Sequence, residues 1–371
     1  MVAAPEHRLA VLDGLRGWAA LSVVIYHCLW QTFGVRFPEL HTFVAALVGN
    51  GIVAVAVFLT ISGYVLTLRR WRNPDNPPLL VAFLRRYVRL TVPIIAATAL
   101  VLLLMALGLT PTREAHRITA MPQWYGSFLR FDPHLGSAIA FAFAWTYTWP
   151  VAHNYNPFLW TMLIELWGSF ALFVLSQNEH YQREPYSPLL LLTALTLLMF
   201  PLAACFFVGA LVALAERDGL LPKTAAPLGS FLASMALLTL LLVGAFAQLL
   251  ERDLRTYALI GTGIFVAARY GLPAQRFLSL GISQFLGRIS FPLYLVQFAV
   301  IVSLSANLIV LTDANATLTA TSALGIAALS VAASLALAVL FLPVELGTLA
   351  LLRRFDRRRR DPRASVAPAT G

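Results

Sequence analysis

Arg16 and His27 stand in LDGLRGWAALSVVIYHC, at the start of the chain's first long apolar stretch. Eleven helical steps of about 100° return to within about 20° of the starting face. A rise of about 1.5 Å per residue separates the two side chains by about 16 Å. One helix then carries a cation near its start and an imidazole near mid-depth, on the same side. Both groups are expensive in hydrocarbon and should face protein or a wet cavity. The pair suits an enzyme that grips an anionic donor at one surface and reacts it in the membrane interior. A neutral imidazole is a suitable general base for a hydroxyl nucleophile. It would equally serve by attacking a thioester and carrying the acyl group transiently. Glu165 lies eight residues after Pro157, about 12 Å into another apolar stretch. The expected helix directions bring it to a depth similar to that of His27. There it would orient the imidazole, bind an acceptor hydroxyl, or pair structurally with an arginine or a tryptophan N–H.

The elements that position these residues follow from composition. The 371 residues are 59% hydrophobic and 12% charged, with mean hydropathy +0.76. A soluble domain of this length needs far more polar surface. Solid apolar runs approaching ~20 residues read as spanning helices, not as the weak alternation of a spanning barrel. The expected fold class is therefore all-α, a polytopic transmembrane helical bundle of about ten spans. These spans are 17–33, 48–68, 92–109, 157–176, 188–200, 202–214, 228–250, 257–270, 289–311 and 318–342. Pro201 separates the fifth span from the sixth; one long kinked helix is the competing arrangement. The Pro- and aromatic-rich stretch 110–156 has a short apolar middle that suits a re-entrant or interfacial helix. Residues 1–352 form one transmembrane domain, and 353–371 a basic tail of disordered composition.

The net charge of +10 comes almost wholly from arginine, with Lys223 the single lysine. The arginines cluster beside apolar spans, at 69–72, 85–89 and 353–360, which is a positive-inside pattern and not a nucleic-acid surface. Both termini are expected in the cytoplasm. Cys28 and Cys205 lie in apolar runs, with no disulfide framework and no metal-ligand spacing. The N-terminal stretch, interrupted by Asp13 and Arg16, reads as a retained span and not a cleaved leader. No internal repeat marks the duplicated halves of a transporter.

Five segments in order carry a family resemblance: RLAVLDGLRGWAALSVVIYH with its basic-x10-His spacing, FLTISGYVL (58–66), RRYVRLTVP (85–93), NPFLWTMLIELWGSF (156–170) and GRISFPLYLVQF (287–298). Together they resemble the membrane-bound acyltransferase family 3, O-acyltransferases that acetylate cell-surface sugars and other hydroxyl compounds. One departure stands out. Many relatives carry His where this chain has Gln297, which forms hydrogen bonds but cannot shuttle a proton near neutral pH.

The resemblance implies an integral-membrane O-acyltransferase of a bacterial inner membrane. It would move an acetyl or short acyl group from cytosolic acyl-CoA to a carbohydrate or other hydroxyl acceptor. Acetyl-CoA would be a substrate, with no resident cofactor and no metal. His27, Glu165 and Arg16 are the catalytic candidates. Arg86 and Arg89, three apart on one helix face, would join Arg16 and Arg288 in holding the donor's phosphates; their alternative is topology alone. Asp13 would cap the first helix or pair with Arg16. Ser62 and Tyr64 would touch substrate or simply pack beside Gly63. Asn156 and Trp160 would line an acceptor site, or Trp160 would join an aromatic belt. Tyr294 and Gln297 complete the substrate candidates. Two other readings stay open. One is a proton-coupled transporter relaying through Arg16, His27 and Glu165; the other is a non-catalytic membrane sensor. The acceptor and the oligomeric state are not fixed by sequence.

Overall fold

A computed structural model describes residues 5–360 except 73–76, 122, 149–150, 152, 179–180, 182 and 223. The end of the expected basic tail, 361–371, lies outside the described residues. Helices α1 (Pro5–Ile25), α2 (Phe43–Val48), α3 (Gly51–Arg72), α4 (Leu79–Ala106) and α5 (Thr112–Thr119) form the first part of the bundle. They are followed by α6 (Leu135–Phe143), α7 (Thr161–Gln177), α8 (Tyr186–Met199), α9 (Pro201–Arg217) and α10 (Pro227–Leu249). The last part holds α11 (Leu254–Tyr270), α12 (Leu272–Leu278), α13 (Gly281–Val300), α14 (Ala306–Asn315) and α15 (Ala320–Arg360). No strand occurs among the described residues. Phe43–Arg70, Leu79–Ala106, Pro157–Gln177, Pro227–Leu249, Gly281–Asn315 and Ala320–Phe355 are each long and apolar enough to cross a membrane. The other four expected spans fall on α1, α8, α9 and α11, which are not among those six.

Local chemistry explains the boundaries. Asn50 caps α3 by accepting from the Val53 N–H at 3.2 Å, and Asp253 caps α11 by accepting from the Thr256 N–H at 2.8 Å. Such caps satisfy donors that a helix start leaves unpaired. Pro157 opens a short 3₁₀ turn that leads into α7, as its fixed φ favours. At Phe200 the backbone leaves the helical region (φ −142°, ψ 76°), and Pro201 then starts a new helix. The fifth and sixth expected spans are thus two helices and not one kinked rod. At the other end, α15 runs on through Arg360, so the boundary placed at 353 falls inside a helix and the basic run to 360 extends it.

Two wide turns interrupt the helical pattern. α1 passes without a break into a π-helical turn, Tyr26–Gln31, and α13 passes into another, Ile301–Ser305. A π turn leaves backbone carbonyls poorly served, and such turns gather at functional sites. Side chains serve them here. The Thr32 hydroxyl donates to the His27 carbonyl at 2.8 Å, and the Tyr125 hydroxyl donates to the Ile301 carbonyl at 3.1 Å.

Helices approach most closely where glycine allows it. α3 and α9 touch backbone to backbone: a Cβ on Gly63 would sit 1.8 Å from the Phe206 carbonyl oxygen. Likewise a Cβ on Gly287 of α13 would sit 2.4 Å from the Asp13 carbonyl oxygen of α1. The second contact brings Asp13 and Arg16 against the start of α13. The buried core joins α1, α4, α7 and α13 on one side and α1, α3, α9 and α11 on the other.

Candidate active site

A cavity of about 210 Å³ opens among α1, α3, α4, α7, α13 and α15. Four guanidinium groups line it: Arg16 from α1, Arg69 from the end of α3, and Arg86 and Arg89 from the start of α4. Three carboxylates answer them. Asp13 meets Arg16 at 3.2 Å, and Glu165 forms an ion pair with Arg86. Glu345 of α15 is the counter-charge near Arg89 and Arg16, and its Oε2 is buried without a hydrogen-bond partner. The Nε of Arg86 is likewise buried without a partner. An unsatisfied guanidinium N–H in a cavity with three further arginines is a ready anchor for a phosphate oxygen.

The cavity rises from the arginines past Ser62, Val23 and Glu165 to Thr161, Met162 and Tyr294. There two of the lining side chains form a crossbar. The Thr161 and Tyr294 hydroxyls lie 2.7 Å apart, and the Tyr294 hydroxyl also donates to the Phe158 carbonyl. His27 is not among the lining residues. It follows Val23 by four positions on α1, one helical turn further on. Its ring stacks on Phe158 with centroids 4.0 Å apart and meets Trp124 at 5.3 Å. Its Nδ1 lies 3.0 Å from the Oε1 of Gln297. The Trp124 indole N–H donates to the Thr32 hydroxyl at 3.1 Å, so the 123–129 segment is fastened beside the same π turn. An aromatic cluster around His27 thus lies one helical turn along α1 from Val23 in the wall of the charged cavity.

Of the alternatives for Glu165, the structure shows the arginine pair, with Arg86; Phe158, two turns before it, is the α7-side neighbour of the imidazole. Other expected positions differ. Ser62, Asp13 and Tyr294 do line the cavity. Tyr64 does not. Two residues on from Ser62 it faces about 200° away, where its hydroxyl donates to Glu216 at 2.8 Å. Tyr270 donates to the same carboxylate at 2.9 Å, and Arg269 meets it at 3.4 Å. This buried knot ties α3, α9 and α11 together. Asn156 is a cap: it accepts from the Phe158 N–H at 3.2 Å and donates to the Leu295 carbonyl at 3.1 Å. Trp160 is 41% exposed on the outside of the bundle, and Arg288 is also exposed; neither lines the cavity. Conversely, Arg69, Glu345, Trp124 and Phe158 belong to the site and were not singled out by spacing. Among the described residues no group of His, Cys, Asp and Glu is arranged to hold a metal ion.

The Tyr64 assignment has a direct check. Tyr64→Phe removes one hydrogen bond to a buried carboxylate, worth about 1.5–3 kcal/mol. A lowered unfolding temperature in detergent with an unchanged KM for an acyl-CoA donor is the expected result.

Residues 9–342 match the family model described as an acyltransferase domain. The chain therefore belongs to the acyltransferase 3 family, and its long apolar helices make it an integral membrane member. Among characterised relatives it is similar to the O-acetyltransferase PaAT-1 of Phomopsis amygdali, at 29% identity over 45% of this chain. The match spans 39% of that relative's length, so the chain covers well under half of it. No solved structure matches the chain.

Proposed function

We propose that this protein is an O-acyltransferase that takes an acetyl or short acyl group from acyl-CoA and transfers it to a hydroxyl acceptor, with His27 as the base. The observation that carries the reading is an arginine-lined cavity against the helix that bears His27. The cavity has four arginines and an unsatisfied Arg86 N–H, and its wall includes Val23, one helical turn before the imidazole. Its volume is below the ~300–1,000 Å³ of a drug-sized ligand pocket, so it suits a slender pantetheine arm with the nucleotide left at the arginine end. Arg16, Arg69, Arg86 and Arg89 take the donor's phosphates, and Glu345 and Asp13 keep the empty cluster from carrying an uncompensated charge. The crossbar of Thr161 and Tyr294 moves aside when the thioester arrives.

The positive-inside pattern supports a cytoplasmic arginine end, the side on which acyl-CoA is made. The acceptor then reaches His27 from the side of Trp124 and the 110–156 segment. A sugar ring, with apolar faces and hydroxyl edges, suits that aromatic wall, and the acetylated product leaves on the side opposite the donor. Arginine- and alanine-rich usage favours a bacterial plasma membrane. The protein works without a resident cofactor.

The deciding experiment reconstitutes the purified protein in vesicles carrying an internal pH indicator, with acetyl-CoA and an envelope extract as acceptor. Free coenzyme A that appears only when donor and extract are both present supports the reading. A pH change without acetyl-CoA, and no coenzyme A release, identifies a proton-coupled transporter instead.

A further inference from the structure

Gln297 lies fully buried, one turn beyond Tyr294 on α13, and both ends of its amide are occupied. Its Nε2 donates to the Tyr294 carbonyl at 3.2 Å, and its Oε1 lies 3.0 Å from the His27 Nδ1. A carbonyl oxygen accepts and never donates, so the group on Tyr294 fixes which end of the amide faces which partner. Turning the amide over would set its oxygen against the Tyr294 carbonyl and leave a buried acceptor unpaired, which is costly. An amide oxygen facing Nδ1 demands a proton there. The imidazole is therefore held with hydrogen on Nδ1 and a lone pair on Nε2. Stacking on Phe158 at 4.0 Å and contact with Trp124 at 5.3 Å oppose rotation of the ring out of this arrangement.

We propose that Gln297 is a positioning residue that locks His27 as the Nδ1–H tautomer, so that Nε2 is the atom that takes the acceptor's proton. The inference rests on His27 being the base of an acyl transfer. The acceptor oxygen forms a bond to the thioester carbonyl carbon while its proton passes to Nε2. The tetrahedral intermediate then collapses, the C–S bond breaks, and the departing sulfur takes the proton back from Nε2. The products are an ester and coenzyme A with its thiol restored. The side chain at 297 supplies no proton at any stage. A neutral amide holds the tautomer at any pH, whereas an imidazole in its place would itself titrate.

Nitrogen-15 spectra of histidine-labelled full-length protein in lipid nanodiscs test this without any substrate, with His27 assigned by its loss in His27→Gln. The expected result is a pyrrole-type Nδ1 and a pyridine-type Nε2. Gln297→Glu should keep this pattern, because a carboxylate also accepts from Nδ1–H. Gln297→Leu should lose it, and should lower coenzyme A release in the vesicle assay by about 10²-fold, the scale of a general base's contribution, with the acetyl-CoA KM unchanged. A pyridine-type Nδ1 in the unaltered protein overturns the inference, as does a Gln297→Leu variant with the original spectrum. Failure of the acyltransferase reading looks different: the locked tautomer is seen, yet the vesicles release no coenzyme A from acetyl-CoA.

Discussion

His27→Ala is expected to lower acyl transfer by a factor of about 10²–10⁴, the range that a positioned general base supplies. The group lost is the one site base that stands apart from the arginine cluster, in contact with Phe158, Trp124 and Gln297. His27→Gln separates chemistry from packing. It keeps an amide donor for Gln297 and much of the ring's volume, yet has no basic nitrogen. Both variants should retain the donor site, because none of its lining residues is altered. The measurement is a mass comparison of envelope glycans and extractable metabolites from cells carrying each form at equal abundance. Loss of an acetyl increment in both variants names the product. An increment that persists in His27→Gln would remove the imidazole from the chemistry and favour a sensor or transporter.

Glu165→Ala should be the most damaging change to the fold near the site. Arg86 and Glu165 are only 15% and 11% exposed, so removing the carboxylate strands a guanidinium among three others. Breaking a buried pair in this way costs about 3–5 kcal/mol, and hydration through the cavity places the loss toward the lower end. Arg86→Met combined with Glu165→Leu should recover most of the stability, since apolar replacements of a buried pair are often neutral or better. It should not recover function: without the Arg86 fork the acetyl-CoA KM rises. Thermal unfolding in detergent and a donor titration read the two effects separately. A double variant with a normal KM would take the pair out of the donor site and leave it a purely structural link between α4 and α7.

Much of this architecture is legible in the amino-acid order. Runs of apolar residues near membrane length can be only helices in lipid; each of the ten expected spans falls on helix, and six of those helices are long and apolar enough to cross a membrane. Pro157 and Pro201 mark helix starts because their ring leaves no N–H to satisfy. What is illegible has two causes. The first is face. Ser62 and Tyr64 belong to one short motif, but the 200° between them sends one to the cavity and the other to Glu216. The second is lateral neighbourhood. Glu345 is an acid set in an apolar run far along α15, and only bundling sets it beside Arg89 and Arg16. Arg69 reads as a topology signal until α3 and α4 are seen to end at one cavity. Trp124 sits in irregular chain, where no periodicity assigns a partner, and reaches His27 through tertiary folding alone. Glu165 shows the same limit from the other side: its depth could be reckoned from Pro157, but not the companion it would choose.

Thr161 and Tyr294 join their hydroxyls in the wall of the cavity, and under the proposed function that bond has a consequence for leakage. An open aqueous thread from the arginines to the imidazole would short-circuit the membrane, letting ions drain through and water consume the thioester before any alcohol arrived. A latch made of one phenol and one small alcohol would insulate against both losses at the scale of a single side chain. It would yield to something slim enough to slide past and rich enough in amides to replace the bonds it breaks.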